Sequence, residues 1–462
     1  MTLFDGPIGP DTYAAIRYGY GFPARGAATA PGEMIAGLHG PDRMRMAFPK
    51  AGLPEAAAMG AAYIAARRDI KKEIPGADAR LKALWQQIRQ AQYTGLLADF
   101  ARIADTRTPF RERLVHFWGN HFATRTKGRQ SHACGPAFLD EAIRPYLAGR
   151  FADLLKAAVT HPVMLAFLDQ TSSVGPNSKA NGDGRRGLNE NLAREVLELH
   201  TLGVGAGYSQ RDVTEFAELL TGLTFDLKRD TGMVFKSKLA EPGAETVLGV
   251  RYGGKGKAKL SDVYAVLDDL SVHPATAAHV SRKIAAHFTS DTPDPSLTSA
   301  MAATWRDTGG DLTAVYTAML NHPAAWAGFG AKVKLPREML ASAMRGLGLS
   351  GDDIMRTKAG RGRDWLMRPL VAMGHSYLGP PDPSGFPDEA TAWVQPYGLA
   401  QRITWAMTTV QMVKTKGLAP DRFARDTLGD AASERLLWAV TRAETREEGL
   451  GLVLASAEFN RR

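Results

Sequence analysis

Two stretches of the chain place histidines among amide and acidic side chains, the residue types that bind metals or transfer protons. The first stretch contains His116, Asn120 and His121. At about 100° per residue, His116 and Asn120 lie about 40° apart on a helix, whereas His121 points elsewhere. One imidazole can therefore lie in a polar contact while the other faces an apolar core.

The second stretch covers residues 188–203 and has two different sides. Leu188, Leu192, Val196 and Leu199 form an apolar stripe. Another side carries the polar residues Asn191, Arg194, Glu195 and Glu198, with His200 at the edge of the apolar stripe. If this polar side is buried, Arg194 must pair with a carboxylate, because an unpaired buried charge is costly.

These two helices are predicted to pack together so that imidazole and carboxylate groups converge, as in bundles that hold a metal between facing helices. The predicted catalytic and metal-binding residues are His116, His121, Glu195, Glu198 and His200. Asn120, Asn191 and Arg194 would orient them. This donor set suits a divalent transition metal, namely Fe, Cu, Mn or Zn.

The same residues allow two other interpretations. The Glu-x-x-His pattern of di-iron helices is missing, because Glu198 stands where the histidine would be. The polar side chains could form a structural network of ion pairs and hydrogen bonds. They could also perform metal-free acid–base catalysis through His116 or His200. For a metal enzyme, we favour oxidative modification such as hydroxylation over metal-assisted hydrolysis.

The apolar periodicity along the rest of the chain predicts a mostly α-helical fold. Helices are expected over residues 55–68, 79–104, 110–123, 136–148, 189–202, 210–223, 261–270, 275–288, 296–307, 311–321, 336–347, 364–374, 396–414, 420–428 and 431–457. Residues 151–170 are expected to form a helical stretch that is interrupted at His161 and Pro162. The pattern changes at 232–252, which predicts one small β-hairpin. His161, His273 and His322 each precede proline and are interpreted as helix-boundary residues.

We expect one globular body over residues 1–462. It would comprise an N-terminal helical part (1–170), a flexible loop (171–188), a central part with the β excursion (189–345) and a C-terminal helical part (346–462). The loop is rich in Gly, Asn and Ser and would cover the site.

Composition limits the class of protein. The 462 residues are 44% apolar and 23% charged, which excludes a disordered chain, a fibre and a coiled coil. A single cysteine, Cys134, excludes an intramolecular disulfide and a cysteine-rich zinc site. The net charge of +9, enriched at 255–259 and 356–363, would permit nucleic-acid binding, but no known nucleic-acid module is present.

Targeting signals are not visible in the sequence. No apolar run reaches the roughly 18 residues that a membrane-spanning helix needs. The N-terminus lacks a basic segment followed by an apolar one. We therefore expect a soluble cytoplasmic protein, with export alongside a partner left open.

Two motifs carry a resemblance to a known family. Residues 116–122 read His-Phe-Trp-Gly-Asn-His-Phe, and residues 189–204 read Asn-Glu-Asn-Leu-Ala-Arg-Glu-Val-Leu-Glu-Leu-His-Thr-Leu-Gly-Val. With further matches from about residue 12 to the end, the chain resembles the bacterial family known as domain of unknown function 1800. The resemblance implies a mostly helical protein, often encoded beside an exported sulfatase-like family.

This implied neighbour suggests a second functional hypothesis. The chain could be a non-enzymatic, partner-binding or chaperone-like protein that acts with a sulfatase-like partner. Its basic loops and the loop at 171–188 would then form the contact surface, and the polar helices would be structural.

Overall fold

The computed structural model describes residues 3–4, 6–24, 29–182, 184, 186–226, 232–413 and 417–462. Helices account for most of the secondary structure in these residues, which confirms the predicted fold class. None of the helices in these ranges is long and apolar enough to cross a membrane.

The helices of the first half mostly agree with the periodicity of the sequence. They are α1 (Pro10–Thr12), α2 (Arg43–Ala47), α3 (Leu53–Lys71), α4 (Ala77–Asp105), α5 (Pro109–His121), α6 (Gly135–Phe138), α7 (Phe151–Thr160), α8 (Pro162–Phe167), α9 (Asn191–Glu195) and α10 (Gln210–Leu220).

The second half continues with α11 (Leu260–Val272), α12 (Pro274–Phe288), α13 (Pro295–Asp307), α14 (Leu312–Asn321), α15 (Pro336–Gly346), α16 (Gly351–Met355), α17 (Ala359–Gly362), α18 (Arg368–Ala372), α19 (Pro396–Met412), α20 (Pro420–Leu428), α21 (Glu434–Val440), α22 (Arg446–Ala455) and α23 (Ala457–Asn460). The single helix predicted over 431–457 is wrong, because it is interrupted at Thr441 and Ser456, which follow α21 and α22.

Several helices contain segments with wider or tighter turns. Wide π-helical segments cover Tyr13–Arg17, Leu139–Ile143, Val196–His200 and Arg363–Met367. Short 3-10 turns cover Pro31–Glu33, Ala36–Leu38, Arg129–Ser131, Arg144–Tyr146, Gln170–Ser172, Lys179–Asn181, Pro323–Trp326, Ala390–Ala392 and Gly429–Ala431. The helix predicted over 189–202 is thus α9 followed by a π-helical segment, which rotates its last residues relative to a regular helix.

Histidine–proline pairs begin three helical segments, and the prediction for them is confirmed. His161, His273 and His322 are each the N-cap residue, and each ring nitrogen Nδ1 accepts a hydrogen bond from the backbone N–H two residues later, at 3.1–3.2 Å. The following proline has no N–H to satisfy, so it fits the first helical turn.

In the described ranges, the β structure consists of two short antiparallel hairpins where one was predicted. Strand β1 (Leu223–Phe225) pairs with β2 (Met233–Phe235), with Thr224 opposite Val234. Strand β3 (Ala244–Val247) pairs with β4 (Val250–Gly253). The prediction at 232–252 started too late and therefore missed β1. In the predicted loop at 171–188, Asp183 and Arg185 lie outside the described residues.

The apolar core divides into two large clusters. One contains buried side chains of α5, α7, α12 and α14, and the other contains those of α4, α15, α19 and α22. Helices α5 and α15 therefore belong to different clusters. Charged and polar side chains of these two helices meet between the clusters, and this polar layer positions the candidate site.

Candidate functional site

Three imidazoles gather where the two sequence motifs meet. His121, at the end of α5, is buried, and its ring centre lies 6.0 Å from that of His200. Its Nε2 lies 3.2 Å from the His200 carbonyl oxygen. Because a carbonyl only accepts, Nε2 must carry the proton, and Nδ1 is left with a free lone pair.

The third imidazole, His279 of α12, was not predicted from the sequence. It approaches the chain at Gly203, where an added Cβ would lie 2.8 Å from His279 Nδ1. Gly203 also has a positive φ of 93°. Glycine suits this position because it leaves room for the His279 ring and because it adopts a positive φ without strain.

Within the part of the chain that the structure describes, each of these three rings has a buried nitrogen without a hydrogen-bond partner. The atoms are Nδ1 of His121, Nδ1 of His200 and Nε2 of His279. Buried polar atoms are normally satisfied, so three unsatisfied nitrogens on neighbouring rings require an explanation.

Burial determines the charge of this cluster. Burial and, to a smaller extent, the positive charge of Lys283 lower the pKa of His200 to about 3 and that of His279 to about 4. Burial also holds the pKa of His121 well below its usual range. The three rings are therefore neutral at pH 7. Burial lowers the pKa of Lys283 itself to about 8, against the attraction of Asp388 and Glu389.

The predicted carboxylates lie in a different set of contacts. Glu198 pairs with Arg194 at 3.5 Å, and Arg194 also pairs with Glu190 at 3.1 Å. Burial, together with the charges of Glu198 and Asp382, raises the pKa of Glu195. Asn191 is exposed. No hydrogen bond or ion pair joins either Glu195 or Glu198 to His121 or His200 in the described part of the chain.

His116 lies in a third environment. Its Nδ1 accepts a hydrogen bond from the guanidinium of Arg337 on α15. Arginine is always a donor, so the proton of the neutral imidazole is on Nε2. Burial and the charge of Arg337 hold the pKa of His116 well below its usual range. His116 therefore stays neutral and offers an N–H group.

A small cleft of about 40 Å³ opens beside this pair of side chains. Its lining includes the residues His116, Gly119, Asn120, Ala123, Thr124, Phe138, Leu139, Arg337, Tyr377, Leu378, Pro380 and Phe386. The amide of Asn120 holds the loop that forms one wall, since it binds both the backbone N–H and the carbonyl of Phe386, at 2.8 and 2.9 Å.

The predicted site residues thus fall into three groups. His121 and His200 are in contact, His116 faces Arg337, and Glu195 and Glu198 lie near Arg194. Helices α5 and α9 do not pack along their length, and contact is made by His121 and Phe122 with His200. Among the described residues, no group of three or more His, Cys, Asp or Glu side chains is arranged to hold a metal ion.

Comparison with known families agrees with the two motifs. A family model described as "Protein of unknown function (DUF1800)" matches residues 26–461. The chain belongs to this family. The resemblance inferred from the sequence is therefore confirmed. No curated protein and no solved structure matches the chain.

Two buried charged networks support the cleft of this DUF1800 protein. In one, Lys50 pairs with Asp99 at 2.5 Å, and Asp99 also accepts a hydrogen bond from the Tyr377 hydroxyl at 3.1 Å. In the other, Glu338 binds Arg113 at 2.6 Å and Arg462 at 3.0 Å. Sequence reasoning missed these residues, because their partners are distant in the chain.

A second, larger cavity of about 480 Å³ in the DUF1800 protein is lined by a different set of residues. Apolar side chains of α3 and α8 line it, including Ala57, Ile64 and Val163, and Arg125 and Lys127 also contribute to its lining. Its size and apolar lining are typical of a surface that binds a small molecule or a peptide segment.

Proposed function

We propose that this protein is a metal-dependent enzyme with its metal centre at His121 and His200. No three donors of the described residues are already arranged for a metal ion, so His279 would become the third donor only after its side chain moves. The observation that carries this proposal is the set of three unpartnered nitrogens on these buried rings. Neutral imidazole is the form that binds metals, and burial keeps these rings neutral.

The chain's own contacts support a ligand role for His121. The hydrogen bond from its Nε2 to the His200 carbonyl fixes the tautomer and directs the lone pair of Nδ1 away from that carbonyl. Metal-binding histidines commonly have such a backbone partner on the second nitrogen. The nearby Lys283 opposes cation binding, so its proton would have to be lost or its side chain displaced.

Imidazole donors suit Zn, Cu and Fe, and the element decides the chemistry. A redox metal would supply oxidative modification such as hydroxylation, which we favour, and Zn would indicate hydrolysis. The carboxylates Glu195 and Glu198 would join the centre only if their side chains turn away from Arg194.

Elemental analysis of protein purified without a metal-binding tag tests the proposal, with an absorption spectrum of the same sample. We expect about one equivalent of Fe, Cu, Mn or Zn, lost in His121→Gln and in His200→Gln. His39→Gln, an exposed histidine, is the matched control and should keep the metal. Glu195→Gln and Glu198→Gln show whether a carboxylate contributes.

Thermal unfolding of each variant separates loss of a ligand from loss of the fold. Wild-type protein that is folded, metal-free and unable to take up any of the four metals on dialysis would refute the metal centre. So would retention of the metal in folded His121→Gln and His200→Gln.

A second candidate function is binding of a protein partner without catalysis. The apolar cavity between α3 and α8 favours it, because exposed apolar surface of this kind often contacts another chain. The sulfatase-like partner remains a proposal. Co-purification of the two proteins should be lost in Ala57→Glu and kept in His121→Gln if binding, rather than metal chemistry, is the function.

A further inference from the structure

The cleft beside His116 has an unusual electrostatic composition. Among the described residues that line it, Arg337 is the one charged side chain, and none is Asp or Glu. In the described part of the chain, Arg337 has no carboxylate within 4 Å, and its recorded partner is the neutral His116. A half-buried guanidinium without an anion is electrostatically incomplete.

The nearest acidic network does not neutralise Arg337. Asp99 pairs with Lys50 at 2.5 Å and accepts from Tyr377, and Asp140 binds Arg102 at 2.6 and 2.8 Å. Two carboxylates are thus matched by the two cations Lys50 and Arg102. Arg337 is near enough to help lower the pKa of Asp99, but in the described part of the chain it has no carboxylate of its own within 4 Å, so its positive charge is in excess.

Apart from the Thr124 hydroxyl, which can donate or accept, the polar side chains that line the cleft and are not already bound elsewhere are donors. Arg337 offers N–H groups beyond the one used by His116, and the hydrogen bond from Arg337 leaves the proton of His116 on Nε2. The amide of Asn120 is already bound to Phe386 on both sides. A ligand in this cleft therefore meets a guanidinium and an imidazole N–H, a combination that suits oxygen atoms with negative charge.

The volume of the cleft limits the size of that group. One water occupies roughly 10–15 Å³ by the same measure, so about 40 Å³ accommodates about three heavy atoms. This is the size of a carboxylate or of the outer oxygens of a phosphate or sulfate. The remainder of a larger ligand would extend out of the cleft.

We infer that the cleft between α5 and α15 binds a compact oxyanion, a carboxylate, phosphoryl or sulfuryl group, through Arg337 and the Nε2–H of His116. It would be the recognition site for an anionic small molecule. This inference goes beyond the proposed metal centre and does not rest on it, because neither Arg337 nor His116 belongs to the set His121, His200 and His279.

Isothermal titration with inorganic phosphate, sulfate and acetate at constant ionic strength tests the inference on the metal-free protein. We expect saturable binding of at least one anion. Because a hydrogen bond to a charged group is lost, its dissociation constant should rise about tenfold to hundredfold in Arg337→Gln. Arg435→Gln, an exposed arginine, is the matched control and should change it less than twofold.

A second measurement covers the case in which Arg337→Gln does not fold. In wild-type protein labelled with ¹⁵N-histidine, the anion should shift the His116 ring signals and leave those of His39 unchanged. Absence of saturable binding of all three anions would overturn the inference. Binding that is unchanged in folded Arg337→Gln, or that leaves the His116 signals in place, would also overturn it. Metal analysis is separate, so either proposal can fail alone.

Discussion

Arg113 of α5 and Glu338 of α15 form a buried ion pair with 2.6 Å between Nη1 and Oε1. His116 lies one helical turn after Arg113, and Arg337 directly precedes Glu338. The pair therefore holds together the two helices that form the cleft. Because Glu338 also binds Arg462, a single carboxylate compensates two buried guanidinium groups.

Replacing Glu338 with glutamine should destabilise the protein by about 3–5 kcal/mol at pH 7, since two buried cations lose their partner. Burial alone would raise the pKa of Glu338. The positive charges of Arg113 and Arg462 outweigh burial and lower this pKa to about 2. The carboxylate stabilises the fold fully above its unfolded pKa near 4.5, and this contribution declines towards pH 2. Denaturant unfolding at several pH values measures both effects.

The difference between wild type and Glu338→Gln should therefore narrow below about pH 4.5. Glu55→Gln, at an exposed position, is the control and should change the free energy of unfolding by less than about 0.5 kcal/mol. A cost below about 1 kcal/mol for Glu338→Gln at pH 7 would contradict the assigned role.

Lys334 should lower stability at neutral pH. Burial lowers its pKa to about 7 despite the attraction of Glu338, and Arg113 and Arg462 act in the same direction as burial. No carboxylate lies within 4 Å of it in the described ranges, and its ammonium lies 4.2 Å from the Phe459 ring centre. Lys334→Met should stabilise the protein by about 1–4 kcal/mol at pH 6–7.

The sign of the pH dependence follows from the lowered pKa of Lys334. Below pH 7 the buried Lys334 is charged, and the full free-energy cost of burying its charge is present. This cost decreases between pH 7 and the unfolded pKa near 10.4, so the free energy of unfolding of the wild type should rise between these pH values. The advantage of Lys334→Met should shrink accordingly in unfolding experiments at pH 7–10. Lys82→Met, at an exposed position, should show no such trend, and a destabilised Lys334→Met would refute the assignment.

Asn120 should control the order of the cleft wall. Asn120→Ala removes two hydrogen bonds to Phe386 and should cost about 1–3 kcal/mol. Hydrogen exchange in residues 379–393 should accelerate, while exchange in α22 should not. Unchanged exchange in that loop would show that Asn120 does not hold it.

Gly385 provides an independent variant of the same contact. Its φ is +90°, and an added Cβ would lie 2.5 Å from the Asn120 carbonyl oxygen. Gly385→Ala should therefore also loosen the loop, with the Asn120 side chain intact.

Glu245 on β3 and Glu218 on α10 are close enough for their charges to repel. Burial, with the hydrogen bond and charge of Glu218, raises the pKa of Glu245 to about 7. The raised pKa of this acid means that stability falls as pH rises from about 4.5 to 7. Because the group is half-exposed, the effect is screened, and Glu245→Gln should raise Tm by roughly 1–3 °C at pH 8.

The same substitution should leave Tm nearly unchanged at pH 5, where wild-type Glu245 is already protonated. Glu218→Gln should behave in the same way, since either change removes the repulsion. Equal Tm shifts at pH 5 and pH 8 would contradict this explanation.

The sequence predicted local structure better than it predicted the site. Helix starts at Pro109, Pro274 and Pro336 follow from the fixed φ of proline, and the histidine N-caps follow from the next residue. The break before Arg446 was missed, although the sequence carries a local signal for it. Thr445 is the N-cap of α22, and its side chain accepts a hydrogen bond from the backbone N–H of Glu448.

The candidate site was predictable only where both partners lie in strong motifs. His121 and His200 both lie in such motifs, and their rings are in contact. Arg337 and His279 stand in ordinary helical sequence, and nothing near them indicates a partner. The contribution of Glu195 and Glu198 to a metal site remains a prediction. The π-helical segment Val196–His200 changes the direction of the side chains that follow Glu195, and helical periodicity does not predict this change.

The polar layer between the two core clusters has a consequence for folding kinetics. Its contacts join distant parts of the chain, and His116 and Arg337 are 221 residues apart. Bringing residues this far apart in the chain together lowers the chain entropy before any contact compensates for it. These pairs should therefore form late in folding. During synthesis, α5 leaves the ribosome long before α15, and its arginine and histidine stay hydrated until that helix arrives. Assembly of the cleft should therefore be the slow step that ends folding.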